Sequence, residues 1–312
     1  MVRIVGAACL SHSPFWDRSF AVEGPGADFV SGVAAIRDRI ARVAPDVVVV
    51  FGPDHFRGFF YDAFPPFCVG IGAVTAVGDY DCPRGPLPVR PTMARALYDG
   101  IAQRGFDPAY SVAMSVDHGI VQPYAVLAPA LNIPMIPIMI GVNGKPRPGF
   151  RRCHAFGRAV GAALRAMPGD ATVMLLASGG LSHWVPSAAL DDPTLSDERR
   201  DYLINGRPRM NAYSAERDVS VRARRATTNG RVNVAWDEQV LSLLTAGNID
   251  PILSWSEDAI EDQAGNGAHE IGAWLALAAA WDGKLDRIAY EPVARWATGM
   301  GCVAAFEDRA KS

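Results

Sequence analysis

The chain has 312 residues, with 30 Lys and Arg against 33 Asp and Glu, a formal net charge of −3. That balance argues against binding nucleic acid or a membrane surface through bulk charge. An apolar share of 49 % and a charged share of 20 % are those of an ordinary globular chain, long enough to bury a core without disulfides.

In chain order, short β-branched runs alternate with longer helical stretches. Strands are expected at Val2–Cys9, Val47–Phe51, Phe67–Ala73, Ala109–Val116, Met135–Ile140 and Thr172–Ala177. Helices are expected at Ala27–Val43, Thr92–Arg104, Gln122–Leu131, Phe150–Met167, Asp237–Ala246 and Glu270–Trp281. Pro45 disfavours a helical residue before it and stops the first helix. VVVVF at Val47–Phe51 is apolar on both faces, as in a strand covered by helices on both sides. The pattern predicts an α/β fold, a central mixed sheet flanked by helices on both faces. The polar stretch 186–234, with Asp191, Asp192, Arg222, Arg224 and Arg225, is expected to be a surface excursion of irregular or helical pieces. No repeat or Gly/Ser linker divides the chain, so residues 1–312 are expected to form a single domain.

Five cysteines (Cys9, Cys68, Cys82, Cys153, Cys302) are odd in number and lack a CxxC pair. They read as small buried hydrophobes rather than zinc, iron–sulfur or disulfide ligands. The opening VGAAC is too short for a signal peptide. No run reaches the ~18 apolar residues of a membrane span. A reducing cytoplasm is the expected address.

Six histidines are present, and four of them follow expected strands. His12 lies in CLSHSP, His55 in GPDHF, His118 in VDHG and His183 in GGLSH. In open α/β sheets, ligands bind at the carboxyl ends of the strands. Each of the four also sits among turn-forming residues, such as Gly52 and Pro53 or Gly179 and Gly180. A histidine taken alone is more often structural; four so placed point to a site. His154 is expected at a surface or boundary. Imidazole serves both as metal ligand and as acid–base group. Two histidines and one carboxylate on one face of a metal leave open positions, as in non-haem Fe(II) oxygenases. Glu270, after Gly265-Asn266-Gly267 and before IGAWLALAAAW, is a candidate for that carboxylate. Its alternative is a helix-start acid stabilised by the macrodipole by ~0.3–1 kcal/mol, and spacing alone leaves both open.

LSHSP at Leu10–Pro14, GPDHF, GFFYD and PPFC between Gly52 and Cys68, VDHG at Val116–Gly119, GGLSH at Gly179–His183, WDEQ at Trp236–Gln239 and HEI with Trp274 together resemble the class III extradiol ring-cleaving dioxygenases, of the protocatechuate 4,5-dioxygenase catalytic-subunit type. The resemblance spans nearly the whole chain. It implies that His12, His55 and Glu270 bind Fe(II), and that His118 and His183 are acid–base residues and not ligands. His183 is then the base for a catechol hydroxyl, and His118 the acid for the departing oxygen. Asp54 and Asp117 also match family positions; Asp117 reads either as a polar support or relay, or as a turn or cap. The implied reaction opens a 3-substituted catechol, 2,3-dihydroxyphenylpropionate or 2,3-dihydroxycinnamate first, with O2 to a 2-hydroxy-6-keto-dienoate. No nucleic-acid or membrane partner is implied, and a homo-oligomer is expected.

A substrate carboxylate wants an arginine, and Arg57, Arg84 and the cluster Arg222–Arg225 are candidates. Phe56, Phe59, Phe60, Tyr61 and Trp184 flank the motifs and read either as pocket wall or as core. Rival readings are another catechol or protocatechuate-type cleavage, a zinc hydrolase, or a non-enzymatic binding protein on the same scaffold.

Overall fold

The computed structural model describes residues 1–21, 23–130 and 132–307. Strands form at Arg3–Leu10 (β1), Val47–Gly52 (β2), Phe67–Val77 (β3), Arg84–Leu87 (β4), Ala109–Val116 (β5), Met135–Ile140 (β6), Thr172–Ser178 (β7), Asp286–Val293 (β8) and Thr298–Phe306 (β9). Helices form at Ala27–Val43 (α1), Pro91–Ala102 (α2), His118–Leu127 (α3), Phe150–Ala166 (α4), Asp197–Asn205 (α5), Met210–Arg224 (α6), Val234–Thr245 (α7), Asp250–Leu253 (α8), Glu257–Ala264 (α9) and Ile271–Trp281 (α10). The strands share one mixed sheet in the order β4-β3-β6-β2-β7-β1-β9-β8, with β5 paired to β3.

β2 shows why the sheet is covered twice. Val47, Val49 and Phe51 pack into one apolar cluster with residues of α2, α4 and α10. Val48 and Val50, pointing the other way, pack with residues of α1 and α3. Alternate side chains face opposite sides of a strand, so both faces must be apolar. The five cysteines are buried and free. Among the described residues, no helix is long and apolar enough to cross a membrane.

β6, β2, β7 and β1 are mutually parallel neighbours, so their carboxyl ends share one edge of the sheet. β5 does not belong to that set. β3 runs antiparallel to β6, and β5 runs parallel to β3. In a flat sheet β5 would therefore end far from the shared edge. The β3–β5 register shifts between Gly70 and Ala73. His118, two residues past β5, nevertheless lines the same cavity as His12 and His55.

Three strands escape the sequence pattern. β4 is short and contains Pro86; β8 is half exposed and contains Pro292; β9 opens with Thr-Gly-Met-Gly, which reads as a loop. α3 starts at His118 rather than Gln122 because Asp117 caps it, its carboxylate accepting from the Gly119 N–H. The expected end of that helix, Leu131, lies outside the described residues. The 186–234 stretch holds α5, a 3₁₀ turn at Arg207–Arg209 and α6. It does more than decorate the surface: Ser196, Arg199, Tyr213 and Arg217 from it line the cavity over the histidines.

Candidate active site

His12, His55 and His183 stand on the loops just beyond β1, β2 and β7, and His118 opens α3. All four line one cavity of about 580 Å³, within the usual range of about 300–1,000 Å³ for ligand pockets. The rings of His55 and His118 stack with centroids 4.1 Å apart. His12 meets His55 edge-on at 5.2 Å and His118 at 5.1 Å.

Glu270 joins them although it comes from the far end of the chain. It closes a 3₁₀ turn, Asn266–Glu270, that leads into α10. Its carboxylate does not cap that helix. Oε1 lies 2.9 Å from His55 Nε2, and Oε2 lies 3.5 Å from His12 Nε2 and 3.7 Å from His183 Nε2. The Gly180 N–H donates to Oε2 at 2.8 Å and the Asn143 amide to Oε1 at 3.2 Å. Burial raises the Glu270 carboxyl, but His12, His183 and His55 outweigh it and hold the group well below the ordinary carboxylate range.

Every one of the four imidazoles is held by its Nδ1. His12 Nδ1 lies 2.8 Å from Ser178 Oγ, His55 Nδ1 3.1 Å from an Asp117 oxygen, His118 Nδ1 2.6 Å from an Asp79 oxygen, and His183 Nδ1 2.8 Å from the Leu181 carbonyl. The Nε2 atoms are left for the cavity. Outer hydrogen bonds of this kind fix the tautomer and orientation of metal-binding histidines. Burial drives the His12 pKa down to about 3, further than Glu270 lifts it, so that ring is neutral. For His55, burial also lowers the pKa, but Asp117 and Glu270 outweigh it and raise it well above its ordinary value. Glycines pack the His183 ring from both sides: a Cβ on Gly267 would sit 2.2 Å from its Nε2, and one on Gly180 2.5 Å from its Cε1.

Asp117 both caps α3 and supports His55, accepting from the His55 backbone N–H at 2.7 Å. Asp54 turns away and accepts from the N–H groups of Arg57, Gly58 and Phe59; burial and the nearby Asp117 raise its pKa to about 7. Asp79, Ser178 and Asn143 are supports that sequence reading missed. Each lies far along the chain from the group it holds, and none sits in a motif. His154 is half-buried on α4, and His269 is buried beside Glu261.

The three metal ligands were expected to be His12, His55 and Glu270, and these three side chains converge. The ligand atoms of His12, His55 and His118 also lie within 4.8 Å of one another, so a metal could find His118 within reach too. Nitrogen and carboxylate donors without thiolates suit a non-haem iron or similar divalent ion.

The candidates for walls and anion contacts divide clearly. Phe56 lines the cavity, with Tyr80 and Tyr213. Phe60 packs with Tyr202 and Leu203, and Tyr61 packs against that cluster. Phe59 lines a different pocket, and the Trp184 ring lies under Arg231. Arg222 and Arg225 are paired with Asp81, and Arg84 reaches Asn211 at the surface. Arg57 alone of those arginines lines the cavity.

Comparison with known proteins bears on this constellation. The family model described as the catalytic LigB subunit of aromatic ring-opening dioxygenase matches residues 6–301. The chain belongs to that family. It is an extradiol ring-cleaving dioxygenase. A Klebsiella pneumoniae 2,3-dihydroxyphenylpropionate/2,3-dihydroxicinnamic acid 1,2-dioxygenase is 38 % identical, over 95 % of this chain and 97 % of its own length. The Escherichia coli enzymes of the same name are 36 % identical over the same shares. The candidate site lies at the edge where β1, β2 and β7 end.

Proposed function

We propose that this dioxygenase opens a 3-substituted catechol, with 2,3-dihydroxyphenylpropionate or 2,3-dihydroxycinnamate as substrate and Fe(II) held by His12, His55 and Glu270. The observation that carries the reading is the convergence of Nε2 atoms on one buried carboxylate, each imidazole fixed through Nδ1. The metal, when bound, supplies a Lewis-acidic centre for the two catechol oxygens and an open position for dioxygen.

The chain's own groups do the rest. Asp117, Ser178, Asn143 and the Gly180 N–H hold the ligands in place before anything binds. His183 presents Nε2 beside Glu270, where it takes the proton of a catechol hydroxyl. His118, held by Asp79 and stacked on His55, presents its Nε2 to the cavity and gives a proton to the oxygen that leaves the ring carbon. General acid–base groups contribute ~10²–10⁴-fold in rate. Residues of α5 and α6 line the cavity beside these groups. Ring opening beside the two oxygens gives a 2-hydroxy-6-keto-dienoate, which absorbs in the visible.

The grouping of His12, His55 and His118 favours a second reading, in which His118 is a third nitrogen ligand. One experiment separates the two. Protein loaded anaerobically with Fe(II) is mixed with aerated 2,3-dihydroxyphenylpropionate, and O2 uptake and visible absorbance are followed. The wild type is expected to consume O2 and develop colour. His118→Ala and His183→Ala are expected to keep about one metal ion and lose turnover, whereas His12→Ala and Glu270→Ala lose the metal. Metal loss in His118→Ala would select the second reading. Fully loaded wild type that neither consumes O2 nor colours would overturn the catechol assignment.

A further inference from the structure

The cavity wall carries more positive charge than the chemistry at the histidines needs. Arg57, Lys145, Arg147, Arg199 and Arg217 all line it. Lys145 and Arg147 are accounted for by Glu257 and Glu261. Arg57 is not. It is 4 % exposed, and its Nη1 donates to the carbonyls of His55 at 3.1 Å and Phe56 at 3.4 Å. Its buried Nε has no partner. Among the described residues, no ion pair to Arg57 occurs. Two buried acids that act on it, Asp79 and Asp117, are taken up by His118 and His55, and Asp54 meets only its backbone N–H. The Arg57 guanidinium lies 4.8 Å over the Tyr213 ring, and that of Arg199 lies 5.3 Å from the same ring. A buried guanidinium without a carboxylate is costly. Here it faces a ligand cavity and is tied to the backbone of a residue whose ring stands in the metal-binding cluster.

We infer that Arg57 is the specificity residue that receives a carboxylate on the substrate's ring side chain, with Arg199 and Arg217 adding positive charge to the same subsite. The substrate class is a catechol bearing a short chain that ends in a carboxylate. This rests on the catechol-cleaving reading above and names the part of the substrate that the histidines do not touch. A planar guanidinium suits a carboxylate because it presents parallel N–H donors. The sequence offered several arginines for this role, and burial in the cavity singles out this one.

The test is a ratio of kcat/KM values for 2,3-dihydroxyphenylpropionate over 3-propylcatechol, its uncharged counterpart, with ferrous-loaded protein. The wild type is expected to favour the acid. Arg57→Gln is expected to lower the ratio by roughly 10- to 100-fold, mainly through KM, the range for losing hydrogen bonds to a charged group. Arg57→Lys restores part of it. Using the ratio cancels any general damage to the site. If Arg57→Gln does not fold, Arg217→Gln decides: a lowered ratio supports the subsite and an unchanged one overturns it. A second arm needs no turnover: 3-phenylpropionate, which has no hydroxyls, is titrated calorimetrically into metal-free protein. Binding by the wild type that weakens in Arg57→Gln supports the subsite even if neither catechol is cleaved, an outcome that would remove only the catechol reading. A wild-type ratio near one, or a ratio indifferent to Arg57→Gln, overturns the inference while leaving ring cleavage intact.

Discussion

Asp79 lies 39 positions before His118, yet one of its oxygens accepts from the His118 backbone N–H at 2.9 Å and the other meets the ring Nδ1 at 2.6 Å. It is fully buried, so neither contact is diluted by water. Both oxygens are committed to one histidine, which fixes the ring's rotation and leaves Nε2 turned toward the cavity. Asp79→Asn keeps the size of the side chain but offers an N–H where the ring nitrogen needs an acceptor. We expect it to lower kcat by roughly 10–100-fold, within the usual range for acid–base groups, with KM and metal content little changed. Steady-state kinetics beside metal analysis checks this; an unchanged kcat would mean that His118 does not transfer a proton. At this scale the histidines were legible because strand ends and turn residues mark them. Asp79, Ser178 and Asn143 were not, because their partners are far along the chain and a polar residue next to a turn looks the same whether or not it holds a ring. Asp117 was half-legible: both roles weighed for it, cap and support, are filled at once.

α10 connects packing to the site, because Glu270 stands at its head. It lies against α4 at a distance only glycines permit. A Cβ on Gly157 would come within 2.0 Å of the Ala276 carbonyl oxygen, and one on Gly161 within 2.3 Å of the Ala280 carbonyl oxygen. Both obstacles are backbone, which has no rotamer to escape into. Gly157→Ala must therefore push the two helices apart. Overpacking of this kind typically costs ~1–3 kcal/mol, and displacement of α10 carries Glu270 away from His55. The expected result is a lower Tm together with weaker metal binding. Gly149→Ala, at an open position just before α4 with nothing within 4 Å, should change neither. A Gly157→Ala protein that loses stability but binds metal as before would show that the 3₁₀ turn isolates Glu270 from its helix. Helices such as α1 were legible to the residue because Pro45 follows and the apolar stripe is regular. β8 and β9 were not, since proline, glycine and exposure mask the strand pattern. His118, just past β5, was found through a rule for strands parallel to the central four, which β5 is not; it lines the same cavity all the same.

The α/β class of the whole molecule could be read from alternation alone, but the role of residues 186–234 could not. Their polarity looks like surface, and only the tertiary fold reveals that one side of α5 and α6 covers a cavity. The same long-range assembly makes the site a clasp, since residues 12, 55 and 270 join the two ends of the chain. A metal that binds this clasp and not the unfolded chain must raise Tm, by about 2.7 kcal/mol of added stability at a concentration 100-fold over Kd. The gain depends on pH through His55. Its pKa in the metal-free fold is raised: burial lowers it, but Asp117 and Glu270 more than compensate. A raised folded pKa favours the metal-free fold fully below the ordinary histidine value of about 6.5. That contribution is lost as pH climbs through the raised value. Coordination at Nε2 must displace this proton. Up to the raised pKa, each pH unit therefore strengthens apparent metal binding about tenfold, ~1.4 kcal/mol. His12, neutral because burial holds its pKa near 3, adds no such dependence near neutrality. Thermal denaturation of metal-free and Fe(II)-loaded protein under nitrogen at pH 6, 7 and 8 should show a metal-induced rise in Tm that grows with pH. It should vanish in Glu270→Ala. A rise equal at all three pH values would mean that His55 holds no proton for the metal to displace, and that Asp117 orients the ring without charging it.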